Sequence, residues 1–153
     1  MNICQAATAE QVAISRVLFE EYAGWLGIDL SFQGFALELA SLPGRYSPPA
    51  GRLLLAMAGA DAAGCVAIRP LTASVCEMKR LFVRPKFRGK HVGRLLAERI
   101  VAEARSLGYQ TMRLDTLPQM RAAIRIYKTL GFVPYAAYYD TPLPGTVFME
   151  LQL

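Results

Sequence analysis

The sequence predicts an α/β fold in which a central mixed, mostly antiparallel sheet is flanked by about four helices. Three observations predict it. Short apolar strand-like runs outnumber helical ones, two of those runs bracket a glycine-containing turn as a hairpin does, and later strands alternate with amphipathic helices as crossover connections do. At 153 residues the chain reads as one domain, 1–153, long enough to bury a core without disulfide or metal staples. Its apolar fraction of 54% and its full set of aromatic residues exclude a disordered chain.

Residues 2–6 read as a short strand. Thr8 then opens a helix, because Thr8 and Gln11 make a capping-box pattern, and Val12, Val17, Leu18, Tyr22, Trp25 and Leu26 recur near helical spacing. That helix ends around Gly24 to Gly27. A shorter helix is expected over 33–42, and PGRYSPPAG after it reads as loop. Residues 52–58 and 65–71 flank GADAAG and make the hairpin, and 75–83 is a third strand. Pro85 stops that strand, since proline has no N–H for a ladder and biases Arg84 towards extended geometry.

The next helix carries Val92, Leu95, Leu96, Ile100, Ala104 and Leu107 on one face, with Gly108 as its C-terminal cap. Residues 111–116 form another strand. Leu117-Pro118 opens a helix over about 119–130, and Gly131 ends it. Residues 132–139 and 147–153 are the last strands, joined by DTPLPG.

Several classes are set aside by composition. Arg52, Asp61, Arg69 and Glu77 interrupt the greasiest stretch, so no run approaches the roughly 18 residues of a membrane helix. The N-terminus lacks the basic-then-apolar pattern of a signal peptide. Three cysteines, Cys4, Cys65 and Cys76, without CxxC spacing read as buried free thiols, and a single histidine argues against a metal site. A reducing, cytoplasmic setting is expected. The net charge of +5 is concentrated between Lys79 and Arg94 without interleaved stacking aromatics beyond Phe82 and Phe87, which favours a small polyanion over nucleic acid.

The densest chemical signal is the run from Glu77 to Arg105, where an apolar strand enters a basic glycine-containing turn that opens an amphipathic helix. Such a turn is an anion cradle. The first helical N–H groups have no partner, the helix dipole adds positive character, glycine admits the ligand to the backbone, and Lys86, Arg88, Lys90 and Arg94 surround it with charge. Neither GxxxxGK[ST] nor GxGxxG is present, so it is not a Walker loop or a dinucleotide fingerprint.

In element order and over essentially its whole length, the chain resembles the GNAT superfamily of acetyl-CoA-dependent N-acetyltransferases. Its most specific piece, LFVRPKFRGKHVGRLL, is similar to that family's pyrophosphate motif Arg/Gln-x-x-Gly-x-Gly/Ala, read as Arg88, Gly89, Lys90, His91, Val92 and Gly93, with Arg94 following. His91 stands at the motif's first glycine position. We read it as a residue of the first helical turn, where histidine is harmless, rather than as one needing positive φ. A second piece, MRAAIRIYKTLGF, resembles the late helix Asn-x-x-Ala-x-x-x-Tyr-x-x-x-Gly-Phe through Ala123, Tyr127, Gly131 and Phe132, with Met120 in place of the asparagine.

The resemblance implies acetyl-CoA as cofactor, with the pantetheine arm and the oxyanion on the backbone of Leu81, Phe82 and Val83. It also implies that Tyr127 protonates the departing thiolate, which suits a phenol of ordinary pKa near 10. Glu77 is the candidate base for the acceptor amine, with pairing to a neighbouring cation as an equal reading. The acceptor, a small molecule or amino acid carrying a primary amine, is expected among Trp25, Phe32, Arg45, Tyr46, Asp115, Tyr138, Tyr139 and Asp140. Arg69, Lys79 and Arg80 offer cations for an acceptor carboxylate, although solvated strand edges account for them equally well. Edge strands and the C-terminal hairpin allow a homodimer. The departures at His91 and Met120 leave an acyl-CoA-binding module with little turnover as the alternative to an enzyme.

Overall fold

Alternation along the strands decides where the core lies. In the computed structural model, which describes residues 1–153, the chain begins with β1 (Asn2–Gln5), α1 (Ala9–Leu26), a 3-10 turn (Ser31–Gln33), α2 (Phe35–Ser41) and a second 3-10 turn (Gly44–Tyr46). Then come β2 (Arg52–Ala58), β3 (Asp61–Pro70), β4 (Val75–Val83), a third 3-10 turn (Pro85–Phe87) and α3 (Val92–Ser106). The chain closes with β5 (Thr111–Thr116), α4 (Arg121–Leu130), β6 (Val133–Pro134) and β7 (Val147–Gln152). All seven strands join one sheet in the order β1-β2-β3-β4-β5-β7-β6. Only β4 and β5 run parallel; every other neighbouring pair is antiparallel, so the mixed, mostly antiparallel sheet with four helices is as expected.

Successive residues of a strand face opposite ways, and β2 shows both faces at work. Leu53 and Leu55 pack with Leu18 and Phe19 of α1 and with Tyr46, whereas Leu54 packs with Leu96, Ile100 and Ala104 of α3. The sheet is therefore covered on both sides. The Thr8 capping box forms as read: the Thr8 hydroxyl accepts from the Gln11 N–H at 3.1 Å, and the Gln11 side-chain oxygen accepts from the Thr8 N–H at 3.1 Å.

Four element boundaries differ from expectation, each for a local reason. The 33–42 helix is split at Gly34, whose φ of +70° interrupts it between the 3-10 turn and α2. The hairpin turn is tighter than GADAAG, because Asp61 already pairs with Ala58, so β3 starts four residues before 65. Helix α4 begins at Arg121, after Met120 in a non-helical conformation. The strand expected over 132–139 shrinks to Val133–Pro134: Pro134 has no N–H to continue a ladder, and Tyr138 and Tyr139 turn their hydroxyls to carboxylates instead.

Strand β4 carries the feature that shapes the site. Cys65 faces Phe82 and Ala67 faces Lys79, so β4 holds one more residue than β3 across that interval, a β-bulge. Arg80, inside it, is left-handed at φ +62°. Without the extra residue, 76, 78, 80 and 82 share a face; with it, Cys76, Met78, Leu81 and Val83 face α3 while Phe82 joins the α1 side. Arg80 is thereby turned to the same side as its neighbour Phe82, where it meets Glu38 of α2 in a paired contact, Nε to Oε2 and NH2 to Oε1 both at 2.9 Å. A non-glycine residue at positive φ is strained, and this buried bidentate pair, with Phe35 at 5.2 Å from the guanidinium, holds it in place.

His91 is the other non-glycine residue at positive φ, also +62°. The harmless first-turn reading is corrected: His91 is the left-handed residue that precedes α3, in the geometry for which glycine is suited. Replacing it as His91→Gly should raise stability by roughly 0.5–1 kcal/mol by relieving that conformation. A lower midpoint in urea than wild type would contradict this. At Gly64, beside the bulge, an added Cβ would lie 2.3 Å from the Phe82 carbonyl oxygen. Gly64→Ala should therefore lower stability by roughly 1–3 kcal/mol, as overpacking does, and an unchanged unfolding midpoint would contradict the close approach.

Candidate active site

The only parallel pair of the sheet is a short ladder of three residue pairs. Strand β4 meets β5 at Val75 with Thr111, Cys76 with Met112 and Glu77 with Arg113, and there the pairing ends. Strand β5 continues alongside β7 as far as Thr116 with Val147. The two strands part, leaving backbone groups of β4 free for a ligand. Two spaces adjoin the gap, and Leu81 and Met120 line both.

The outer space is a cleft of about 670 Å³ between β4, the turn before α3 and helix α4. Of the expected cofactor residues, Leu81, Phe82, Val83, Arg88, Gly89, His91, Val92, Gly93 and Arg94 line it. Lys90 does not. It is exposed, with its ammonium 5.7 Å from the centre of the Phe87 ring. Arg88 is anchored by its Nε donating to the Val83 carbonyl at 3.0 Å and by stacking 4.5 Å from the centre of the Trp25 ring. Trp25 thus lies in the outer cleft rather than in an acceptor cavity.

Two charged cleft residues escaped the sequence reading. Arg121 and Arg125 of α4 both line the cleft opposite the α3 turn. Their spacing of four residues puts them on one helical face, which is the signal that was there to use. Four arginines, 88, 94, 121 and 125, therefore border a cleft whose floor is apolar and whose end is a helix N-terminus.

The inner space is narrow, about 50 Å³, with room on the order of four water-sized groups. Its polar lining consists of Tyr22, Gln33, Lys79, Arg80, Asp115, Thr116 and Tyr127. Tyr127 sits here instead of in the outer cleft, buried with 6% exposure and edge-tilted against Phe132. Burial pushes its phenol pKa up, and Tyr22 and Asp115 push the same way, so the hydroxyl keeps its proton. Asp115 accepts a hydrogen bond from the Tyr139 hydroxyl at 2.7 Å.

Other expected residues are placed elsewhere. Glu77 is 2% exposed, and its two oxygens accept from Arg69 Nε at 2.9 Å and from the Tyr138 hydroxyl at 2.7 Å. It does not line the inner cavity. Burial and the Glu77 carboxylate beside it push the Tyr138 phenol pKa up, which keeps that hydroxyl a donor. Tyr46 is a core residue, 2% exposed, with its ring edge-on to Phe19 at 6.0 Å. Arg45 is exposed and donates to the Pro70 carbonyl. Phe32 and Asp140 line neither space. Tyr22, Gln33 and Thr116 were not singled out, because a helical stripe, a loop and a strand end carry no chemical pattern of their own.

Residues 16–132 match the model of the acetyltransferase (GNAT) family. An uncharacterised N-acetyltransferase of Schizosaccharomyces pombe is 42% identical over 140 residues, covering 90% of this chain and 86% of the relative. Among solved structures, a Klebsiella pneumoniae protein described as an acyl-CoA N-acyltransferase is 29% identical with a TM-score of 0.78, over 99% of this chain and 97% of the other. Salmonella typhimurium yncA, solved with its cofactor acetyl-CoA, is 22% identical with a TM-score of 0.69, over 99% and 92%, and shares the fold. The family match covers most of the chain and the relatives carry the same activity in their names: the chain belongs to the GNAT family and is an acetyltransferase.

Proposed function

We propose that the protein transfers the acetyl group of acetyl-CoA to the primary amine of a small acceptor by direct attack, with Tyr127 as general acid. The observation that carries this reading is the Tyr127 hydroxyl. It belongs to a residue that lines the inner cavity on the helix that also walls the outer cleft, and it is not committed to a carboxylate as Tyr138 and Tyr139 are.

The residues of the cleft fit coenzyme A. Free N–H groups at the start of α3, with Arg88 and Arg94, suit a pyrophosphate, and Arg121 and Arg125 add cations on the facing wall. The backbone of Leu81, Phe82 and Val83, freed from β5, suits an extended amide-bearing arm. When bound, the cofactor supplies an acetyl group activated as a thioester. Tyr127 then donates its proton to the leaving sulfur, a step that a positioned acid of this kind accelerates by about 10²-fold or more. Asp115, the carboxylate that lines the cavity, holds the acceptor's ammonium and takes its first proton to free the amine for attack; the second proton, shed as the amide forms, restores the Tyr127 phenol, and Asp115 passes its own to solvent. Glu77 serves to orient Arg69 and Tyr138, since both its oxygens are engaged. A binding module without turnover finds no support in this arrangement.

Calorimetric titration with acetyl-CoA should give a Kd far below millimolar; binding at millimolar or weaker would remove the reading. Tyr127→Phe should lower kcat by about 10²-fold or more while the Kd for acetyl-CoA stays within about twofold. Lost affinity with unchanged kcat would show that the ring packs against the cofactor and does not act as an acid. Mass spectrometry of a panel of small amines should find acetylated amine; release of free coenzyme A alone would contradict transfer.

A further inference from the structure

Five ionisable side chains crowd the α1 side of β4 and its neighbours, and their pairing leaves one cation over. Arg69 is matched by Glu77 at 2.9 Å and Arg80 by both oxygens of Glu38 at 2.9 Å. Lys79 is 8% exposed and lines the inner cavity, yet its ammonium meets only the Gln33 side-chain oxygen, at 3.1 Å. No carboxylate pairs with it. A buried ammonium without a counter-ion is costly, and here it faces a cavity rather than packed side chains. Across the same cavity, Asp115 has a neutral partner, the Tyr139 hydroxyl, and no cation. The cavity thus holds one unneutralised charge of each sign, and the two are not paired with each other.

We propose that Lys79 is the subsite for a carboxylate of the acceptor, so that the acceptor is a small amino acid bound as its zwitterion, carboxylate on Lys79 and ammonium at Asp115. This rests on the acetyl-transfer reading and narrows its acceptor class. The bulge is what makes the subsite: by sending Arg80 to the α1 side next to Lys79, where Glu38 neutralises it, it leaves the lysine as the available cation. The narrowness of the space, about 50 Å³, excludes a bulky peptide or drug from the inner end. The desolvation that lowers the Lys79 pKa, reinforced by Arg80, is relieved when an anion enters.

The test compares a panel of small α-amino acids with their carboxamides and decarboxylated amines on the wild-type protein, Lys79→Met and Lys79→Gln. Wild type should prefer the carboxylate form in kcat/KM on the order of 10- to 100-fold, the difference a charge-assisted hydrogen bond makes. Both variants should lose that preference through KM, with the carboxamide's kcat/KM and the acetyl-CoA Kd unchanged. Lys79→Arg should restore part of it. Calorimetric binding of the amino acids to the complex with free coenzyme A gives a readout that needs no turnover. Equal use of amino acid and carboxamide by wild type overturns the proposal while leaving acetyl transfer intact. Equal loss on all acceptors in both variants also overturns it, because a purely structural or proton-transfer role does not discriminate. Lys79-dependent amino-acid binding without any acetylated product supports the subsite and removes the transfer reading.

Discussion

The parting of β4 from β5 after Glu77 is the constraint on which the rest of the site depends. A sheet gains from keeping its strands paired, so an interior gap must be held open by something stronger than the lost ladder. Two contacts do so. Strand β5 remains committed to β7 through Thr116, and β4 is redirected by the bulge around Arg80. The Arg80–Glu38 pair locks that bulge from the α2 side with side-chain exposures of only 3% and 12%. Removing either partner would leave a buried charge, a loss of about 3–5 kcal/mol in comparable pairs. The gap, the free backbone along Leu81 to Val83 and the cleft beyond are consequences of this one arrangement.

The distribution of charge follows the same division. Outside, cations are left for a ligand: the four arginines of the cleft border a helix N-terminus, and only Arg94 among them makes an ion pair, with Glu98, at the surface. Inside, Arg69, Arg80 and Arg113 are each matched by a glutamate, so the low-dielectric side of the sheet carries little net charge. The net charge of +5 is therefore a property of the cleft more than of the core, and it draws an anionic ligand towards the turn before α3. No helix is long and apolar enough to cross a membrane.

The parts legible in the sequence were those governed by local chemistry. The capping box at Thr8, the basic turn from Arg88 to Arg94 and the Tyr127 helix each carry their signal within a few residues. What escaped depends on partners far apart in the chain. Nothing local shows that Arg80 is paired with Glu38 or that Glu77 has both oxygens taken, since those contacts span 42, 8 and 61 positions. Tyr46 in its loop and Trp25 near the end of its helix both read as acceptor-site aromatics, but one packs against Phe19 while the other stacks on Arg88. The left-handed conformations of Arg80 and His91 had no glycine to announce them, and both lie at turns of the path that builds the cleft.

The most direct measurement is a crystal structure of the protein with coenzyme A and an N-acetylated amino acid, read at the sulfur. The account predicts the pyrophosphate on the N–H groups at the start of α3, the arm along Leu81 to Val83, and the sulfur within hydrogen-bond reach of the Tyr127 hydroxyl. A sulfur lying in the outer cleft, with the hydroxyl unable to reach it and the gap between β4 and β5 filled by protein, would contradict it.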